Sequence, residues 1–452
     1  MVKLATTTGQ VSVQMRWCHW RGVSGRVVCT SLTRRHGWGS VNSRQAGVAA
    51  QLLWGAAKGA RLKTSLFYLP AVGTRADVEA GNAALNGTLY DTMLSEVLGQ
   101  CQLADELGYN SVSFTEHHFH VEGFEVSNNP VLLDLYVGLQ TKRLRVGQLG
   151  IVLPANNPIR VAEDIAMLDH MTGGRANAGF ARGYQRRWVD IMAQQTHGIH
   201  GASPFEHDKI DEANRAAFEE CYRIVKCAWT NDYMNFDGRY WQIPREGTPW
   251  DIEATDKWGG GVEGGVLKQI AVVPKPVQRP HPPIFQPFAS SERTIRWCAE
   301  EGITPVLPPL HPKLERHLID VYAEVSGKPP GQGIGVLRDV VITDDDDEAQ
   351  RIWSSGPKFC GAAWFAPFGF DKGTNPPDTG EPFDGDYLGE GLAMVGTTDT
   401  VTRQLEALRA RIPVEWVFTW QYNGLVSDTH NRRSIESWAT EVVPRVADWE
   451  AP

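Results

Sequence analysis

Residues 144–183, LRVGQLGIVLPANNPIRVAEDIAMLDHMTGGRANAGFARG, decide the fold. The run Leu144–Leu153 is largely apolar, the pattern of a strand covered on both faces. Asn157 then supplies a side-chain cap, and Pro158 a first helical residue that needs no N–H partner. Val161, Ala162, Ile165, Leu168 and Met171 follow at helical spacing and face inward. Gly173-Gly174 stop the helix, and Ala176–Gly183 reads as a second strand. One stretch therefore holds a complete crossover between parallel neighbours.

The unit repeats in both directions. Upstream lie a strand at 62–70, an amphipathic helix at 88–107 with Val97, Cys101 and Ala104 on its inner face, a strand at 111–116 and a helix near 129–141 opened by Asn129-Pro130. Downstream come a helix at 211–229, strands at 283–288, 303–307, 334–343 and 416–421, and helices at 291–301, 312–326, 398–410 and 432–446. Eight strand and helix pairs predict an α/β fold, a (β/α)8 TIM-type barrel with insertions after strand 4 and after strand 7. An open doubly wound sheet would want Gly-x-Gly-x-x-Gly after its first strand, and Leu69-Pro70-Ala71-Val72-Gly73 does not supply it. The first insertion holds a hairpin between Met234 and Ile243; the second, 353–392, is rich in Gly, Pro and aromatics.

Charge separates the N-terminal stretch from the rest. Residues 1–76 carry 11 Lys+Arg and no Asp or Glu, which leaves 33 basic against 53 acidic residues beyond them. An acidic body without a basic stripe argues against nucleic acid as a partner. Residues 1–61, with Trp17, Trp20, Trp38 and Trp54 at no helical period, read as a disordered N-terminal extension. An upstream extension of the reading frame and an organellar leader both fit it, and residues 62–452 form the barrel domain. Seven cysteines, odd in number and without a Cys-x-x-Cys pair, fit a reducing cytoplasmic setting. No apolar run has the ~20 residues a bilayer crossing needs.

Glu116-His117-His118-Phe119 stands where the strand 111–116 gives way to a loop. Groups leaving strand ends are where barrels keep their chemistry, and imidazole changes charge near neutral pH. The structural alternative is a polar network that closes the barrel. His117, His118 and His120 could also ligate a metal, as in a hydrolase, but such sites draw further His and Asp ligands from other strand ends. Here Arg182 follows strand 4 and Ser290-Ser291 follow strand 5, so no metal site is expected.

The motifs Glu116-His117-His118-Phe119, Asn129-Pro130, Val146–Pro154, Asn157–Asp164, Leu168-Asp169, Gly174-Arg175 and Gly179–Gly183, in this order and spacing, resemble the bacterial luciferase-like, flavin-dependent monooxygenases. The resemblance spans about 62–447 and returns at Pro274–Pro283. It implies FMN bound at the C-terminal strand ends, as reduced FMN from a separate NAD(P)H-dependent flavin reductase. With dioxygen this would oxygenate a small apolar organic substrate through a peroxyflavin.

Ser290, Ser291 and Thr294 match the family's phosphate site, where ordinary helix capping is the alternative reading. Arg215 matches its phosphate-pairing arginine, against a surface pair with Glu219. Arg182 matches a flavin contact, against a rim salt bridge. Leu149-Gly150 matches a cis peptide under the flavin. His117 matches the catalytic histidine, as base or peroxide-stabilising group, with Glu116 and His118 orienting it. Ala181 departs from the reactive cysteine of the luciferase catalytic subunit. The aromatics of 353–392, Trp364, Phe365, Phe368 and Phe370, read either as a lid or as a disordered surface loop. A homodimer is the family expectation. A deazaflavin-dependent hydride-transfer enzyme on the same fold and a non-catalytic partner subunit are the remaining alternatives.

Overall fold

The computed structural model describes residues 62–202, 209–375 and 383–446, together with short strands at 4–7, 10–13, 60–61 and 450–451. The chain divides into two units, 1–58 and 59–452. In the first, Leu4–Thr7 pairs antiparallel with Gln10–Val13. The four N-terminal tryptophans, and most of the stretch read as an extension, lie outside the described residues.

The second unit is a closed parallel barrel. Its strands are β1 (Lys63–Tyr68), β2 (Ser111–Phe114), β3 (Arg145–Gln148), β4 (Ala176–Ala181), β5 (Ile284–Gln286), β6 (Thr304–Leu307), β7 (Gly335–Ile342) and β8 (Trp416–Gln421). Each pairs with the next, and β8 pairs with β1 in parallel, Trp416 opposite Lys63 through Gln421 opposite Tyr68. The barrel helices are α1 (Gly87–Leu107), α2 (Pro130–Gly138), α3 (Pro158–Met171), α4 (Lys209–Thr230), α5 (Glu292–Glu301), α6 (Pro312–Ser326), α7 (Thr398–Arg411) and α8 (Asp428–Ser437). Asn157 caps α3 as its position predicts, accepting from the Ile159 and Arg160 N–H groups.

Strand alternation sorts the core into two layers. Phe67, Phe285, Val306, Leu337, Phe418 and Trp420 point into one cluster inside the barrel. Their neighbours Leu66, Tyr68, Ile284, Leu307, Val336 and Val417 join the cluster under the helices. Both faces are buried, so these strands are apolar nearly throughout.

Backbone contact shapes the end of β3. A Cβ on Gly179 would lie 2.0 Å from the Gln148 carbonyl oxygen, and one on Gly150 would lie 2.7 Å from the Gly179 carbonyl carbon. Only glycines allow β3 and β4 to approach so closely where the chain turns towards the short continuation Ile151–Val152. The strand expected to run unbroken from 144 to 153 is thus interrupted at Leu149-Gly150, whose peptide bond is cis.

Two expectations are corrected. Met171 was placed inward by spacing but is 52 % exposed, because α3 ends there and its last turn clears the barrel. The segment after β7 is not a disordered loop over its described residues. It forms a helix at Asp346–Ser355 and helical turns through 357–373, and Met394–Gly396 adds a parallel strand beside β7. Burial of Trp364 and Phe365 holds those turns down.

An interior ion triad ties this side together. Glu315 on α6, fully buried, accepts from Arg338 of β7 at 2.6 Å and from Arg411 of α7 at 2.8 Å. Glu315→Ala is expected to cost about 3–5 kcal/mol by leaving Arg338 charged and unpaired in the interior, as denaturant unfolding would measure. The double change Arg338→Met with Glu315→Leu should cost much less.

Candidate active site

A cleft of about 880 Å³, counting its solvent-open part, lies at the C-terminal strand ends. Glu116 and His117 reach it from β2, Leu149 and Gly150 from β3, Arg182 from β4, and Ser290, Ser291 and Thr294 from the turn between β5 and α5. Phe365 and Phe370 cover it from the segment after β7. Eight of the ten residues singled out in the sequence meet there. Arg215 stands behind it on α4, and His118 turns aside.

One end is built around the start of α5. Ser291 caps α5, accepting from the Thr294 N–H, and Ser290, Ser291 and Thr294 line the cleft at the positive end of that helix's dipole. Ser291 Oγ also donates to Thr294 Oγ1 at 3.0 Å. Arg182 pairs with Asp211, the salt bridge foreseen as its alternative reading. Arg215 is only 4 % exposed, so it is not the surface partner of Glu219 that its helical spacing allows. Its Nε has no hydrogen-bond partner among the described residues. Burial, reinforced by the Arg182 and Arg293 guanidiniums, pushes its pKa down to about 10, which leaves it charged at neutral pH. A buried cation of this kind calls for an anion.

At the other end the loop after β2 folds back on itself. The His117 N–H donates to the Ser127 carbonyl at 2.8 Å, and Ser127 Oγ to the Thr115 carbonyl at 2.6 Å. Glu116 does not hold His117. One of its oxygens accepts from the Val152 N–H at 2.7 Å, and the other accepts from Asn156 at 3.0 Å and lies 3.1 Å from His118 Nε2. Glu116 therefore splices β2 to the broken end of β3. His118 packs on Trp188, with ring centres 5.0 Å apart.

The neighbours of His117 are His120, which the sequence singles out only as a possible metal ligand, and Glu125, which it does not single out at all. His117 Nε2 lies 3.5 Å from Glu125 Oε1, and its Nδ1 is buried without a hydrogen-bond partner among the described residues. Burial, then the two neighbouring imidazoles, hold its pKa well below the usual range, so the ring is neutral at neutral pH. His120 is pushed down to about 4, by burial and then by the Arg187 guanidinium. Burial pushes the Glu125 carboxyl up to about 7.

His117, His120 and Glu125 offer three ligand atoms within 4.8 Å of one another, with Glu125 in the place that sequence reasoning gave His118. Both nitrogens of His120 already face oxygens, Phe124 O at 3.0 Å and Gln185 Oε1 at 2.7 Å. Both oxygens of Glu125 are engaged as well. His117 Nε2 and His120 Nδ1 each lie 3.5 Å from a Glu125 oxygen, so the trio is a cluster of acid–base groups whose hydrogen bonds run to neighbouring residues. Nothing in the residue pattern marks Glu125, since its partners arrive from β4 and from the segment after β7.

Barrels that bring phosphate-binding and acid–base groups together at their strand ends are enzymes, many of them cofactor users. Comparison with known proteins narrows the class: residues 74–414 match the luciferase-like monooxygenase family, and the chain belongs to it. It is 25% identical over 382 residues to the oxygenase component of the flavin-dependent trigonelline monooxygenase of Acinetobacter baylyi, covering 80% of this chain and 91% of that protein. Among solved structures, the oxygenating constituent of 3,6-diketocamphane monooxygenase of Pseudomonas putida, in complex with FMN, superposes with a TM-score of 0.65 at 22% identity. That match covers 85% of this chain and 98% of the other. The coenzyme F420-dependent tetrahydromethanopterin reductase of Methanopyrus kandleri shares the fold at a TM-score of 0.53 and 15% identity, over 85% and 99% of the two chains.

Proposed function

We propose that this chain is the oxygenase component of a two-component FMN monooxygenase, acting with dioxygen on a small apolar organic substrate. The observation that carries the reading is one cleft lined by Ser290, Ser291 and Thr294 at the start of α5 and by a buried neutral imidazole, with the buried Arg215 guanidinium behind it, whose Nε has no hydrogen-bond partner among the described residues. The residues fit the cofactor. Arg215, Ser290, Ser291 and Thr294 would hold the phosphate of FMN, and Arg182, Leu149 and Gly150 would line the flavin.

Bound reduced FMN would supply the electrons that activate dioxygen. His117, neutral at working pH and with Nδ1 free of hydrogen bonds among the described residues, is the base that takes up or returns the proton at the reacting oxygen. Glu116 fixes the strand end that carries His117, and Phe365 and Phe370 exclude water. The aromatic cover favours an apolar substrate.

A separate NAD(P)H-dependent reductase supplies the reduced flavin, in keeping with the oxygenase component that this chain resembles. Leu132 and Tyr136 of α2, Leu139 just after it, and Met167 and Met171 of α3 are exposed apolar side chains that a second copy would cover. No described helix is long and apolar enough to cross a membrane.

Anaerobic titration of the full chain with reduced FMN, followed by air, tests the reading. Saturable binding with dioxygen uptake is expected. The hydride-transfer alternative, kept alive by the shared fold of the F420-dependent reductase, would replace it if a reduced deazaflavin bound, reduced FMN did not, and no dioxygen were consumed.

A further inference from the structure

We propose that Glu125 is the positioning residue of this site: its carboxylate keeps the His117 proton on Nε2, so that Nδ1 is left to accept, and the Trp364 indole ties that arrangement to the seating of residues 357–373. The assignment rests on the acid–base role given to His117 above.

The loop places Glu125 deliberately. Its φ is +49°, a left-handed conformation that a side-chain-bearing residue adopts at a cost, and it is 2 % exposed. The Val126 N–H donates to the Pro70 carbonyl at 2.6 Å, which pins the loop across the mouth of β1.

Around the carboxylate stand donors. Trp364 Nε1 reaches Oε2 at 2.6 Å and Gln185 Nε2 reaches it at 2.8 Å, while the Tyr184 hydroxyl lies 3.2 Å from Oε1 and 3.1 Å from Oε2. An ionised carboxylate accepts from all of them; a protonated one would set its own O–H against one. Oε1 is the oxygen that faces His117 Nε2, at 3.5 Å, a separation of the kind that tightens when a site fills. An imidazole facing an acceptor-only group turns its N–H towards it, and the lone pair then falls on Nδ1.

The groups that set the carboxyl's charge come from four elements. His117 and His120 share its loop, with His120 Nδ1 3.5 Å from Oε2. Tyr184 follows β4, and the Arg187 guanidinium acts on it from the helix 186–193. Cys360, buried in the segment after β7, interacts with it as a neutral thiol. Burial raises the carboxyl, and the donor bonds, that of Trp364 first among them, lower it again, to a balance of about 7. Removing Trp364 removes the largest of those lowering bonds.

The test is ¹⁵N NMR of the histidine-labelled full chain without cofactor, with the His117 signals assigned by His117→Gln. In the parent protein above neutral pH, Nε2 of His117 is expected to carry the proton. In Glu125→Gln the carbonyl oxygen goes to Trp364 and Gln185, the amide N–H faces His117, and the tautomer reverses. In Trp364→Phe the pH at which the Nε2–H form sets in moves upward from about 7.

An unchanged tautomer in Glu125→Gln overturns the proposal, as does stoichiometric zinc in the purified chain. Should Glu125→Gln fail to fold, an unmoved midpoint in Trp364→Phe overturns it equally. Because the readout needs no flavin, a tautomer that reverses in a chain that ignores reduced FMN would refute the monooxygenase reading and leave the role of Glu125 standing.

Discussion

Replacing His117 with alanine is expected to lower substrate oxygenation by about 10²–10³-fold, while the affinity for reduced FMN stays within about threefold. The size follows from what a positioned base contributes, and the split follows from place. His117 lies at the end of the cleft away from the start of α5, so removing it takes nothing from the phosphate. Single-turnover oxidation of the bound flavin, measured with and without substrate, separates the two effects. Flavin oxidation should continue and release peroxide, uncoupled from product. Glu116→Ala should behave differently, because it frees the Val152 N–H and Asn156 at a strand junction and so disturbs flavin binding and catalysis together.

The pH profile carries a sign that can be checked. The His117 pKa is held well below its usual value, so its basic form persists into the acid range. An acid limb belonging to His117 itself must therefore lie below ordinary imidazole titration, and any limb near neutrality belongs to another group. Coincidence of a near-neutral limb with its disappearance in Glu125→Gln would assign it to the carboxyl, whose pKa is raised to about 7.

Arg215→Met gives the second large effect, in opposite directions for two observables. Reduced FMN should bind about 10–100-fold more weakly, the loss of roughly 1.5–3 kcal/mol of charged hydrogen bonding. The chain without cofactor should unfold no more easily than the parent, and at neutral pH with more difficulty. The guanidinium is buried beside two others, and the Asp211 and Glu219 carboxylates offset its desolvation only in part, since its pKa stays below the usual value. Riboflavin, which lacks the phosphate, should bind both forms alike. A variant that lost stability and kept its FMN affinity would return Arg215 to a purely structural role.

The barrel was legible in the sequence for a physical reason. Parallel strands buried on both faces leave short apolar runs, and the capped helices between them keep a regular period, as at Asn157-Pro158. Arg215 and Ser291 stand out only through family resemblance, since capping and surface pairing explain the same residues equally well in isolation. The break in β3 could not be read from hydrophobicity, because Leu149-Gly150 is as apolar as its neighbours. Glu125 was invisible. It lies in a loop without period, and the indole that bonds it comes from 239 residues further along the chain. The segment after β7 looked equally like lid and loop because Gly and Pro mask helical turns that only the burial of Trp364 and Phe365 stabilises.

The two ends of the cleft draw on different parts of the chain. The end proposed to hold the phosphate draws on the barrel helices α4 and α5. The opposite wall is a short run of turns bearing Phe365 and Phe370, inserted between β7 and α7. Inheritance can therefore act on the two separately. Descendants of one such barrel can keep a single cofactor while exchanging residues 357–373 to change their diet of substrates, and a laboratory library confined to that run would explore new substrates on an intact oxygen-activating frame.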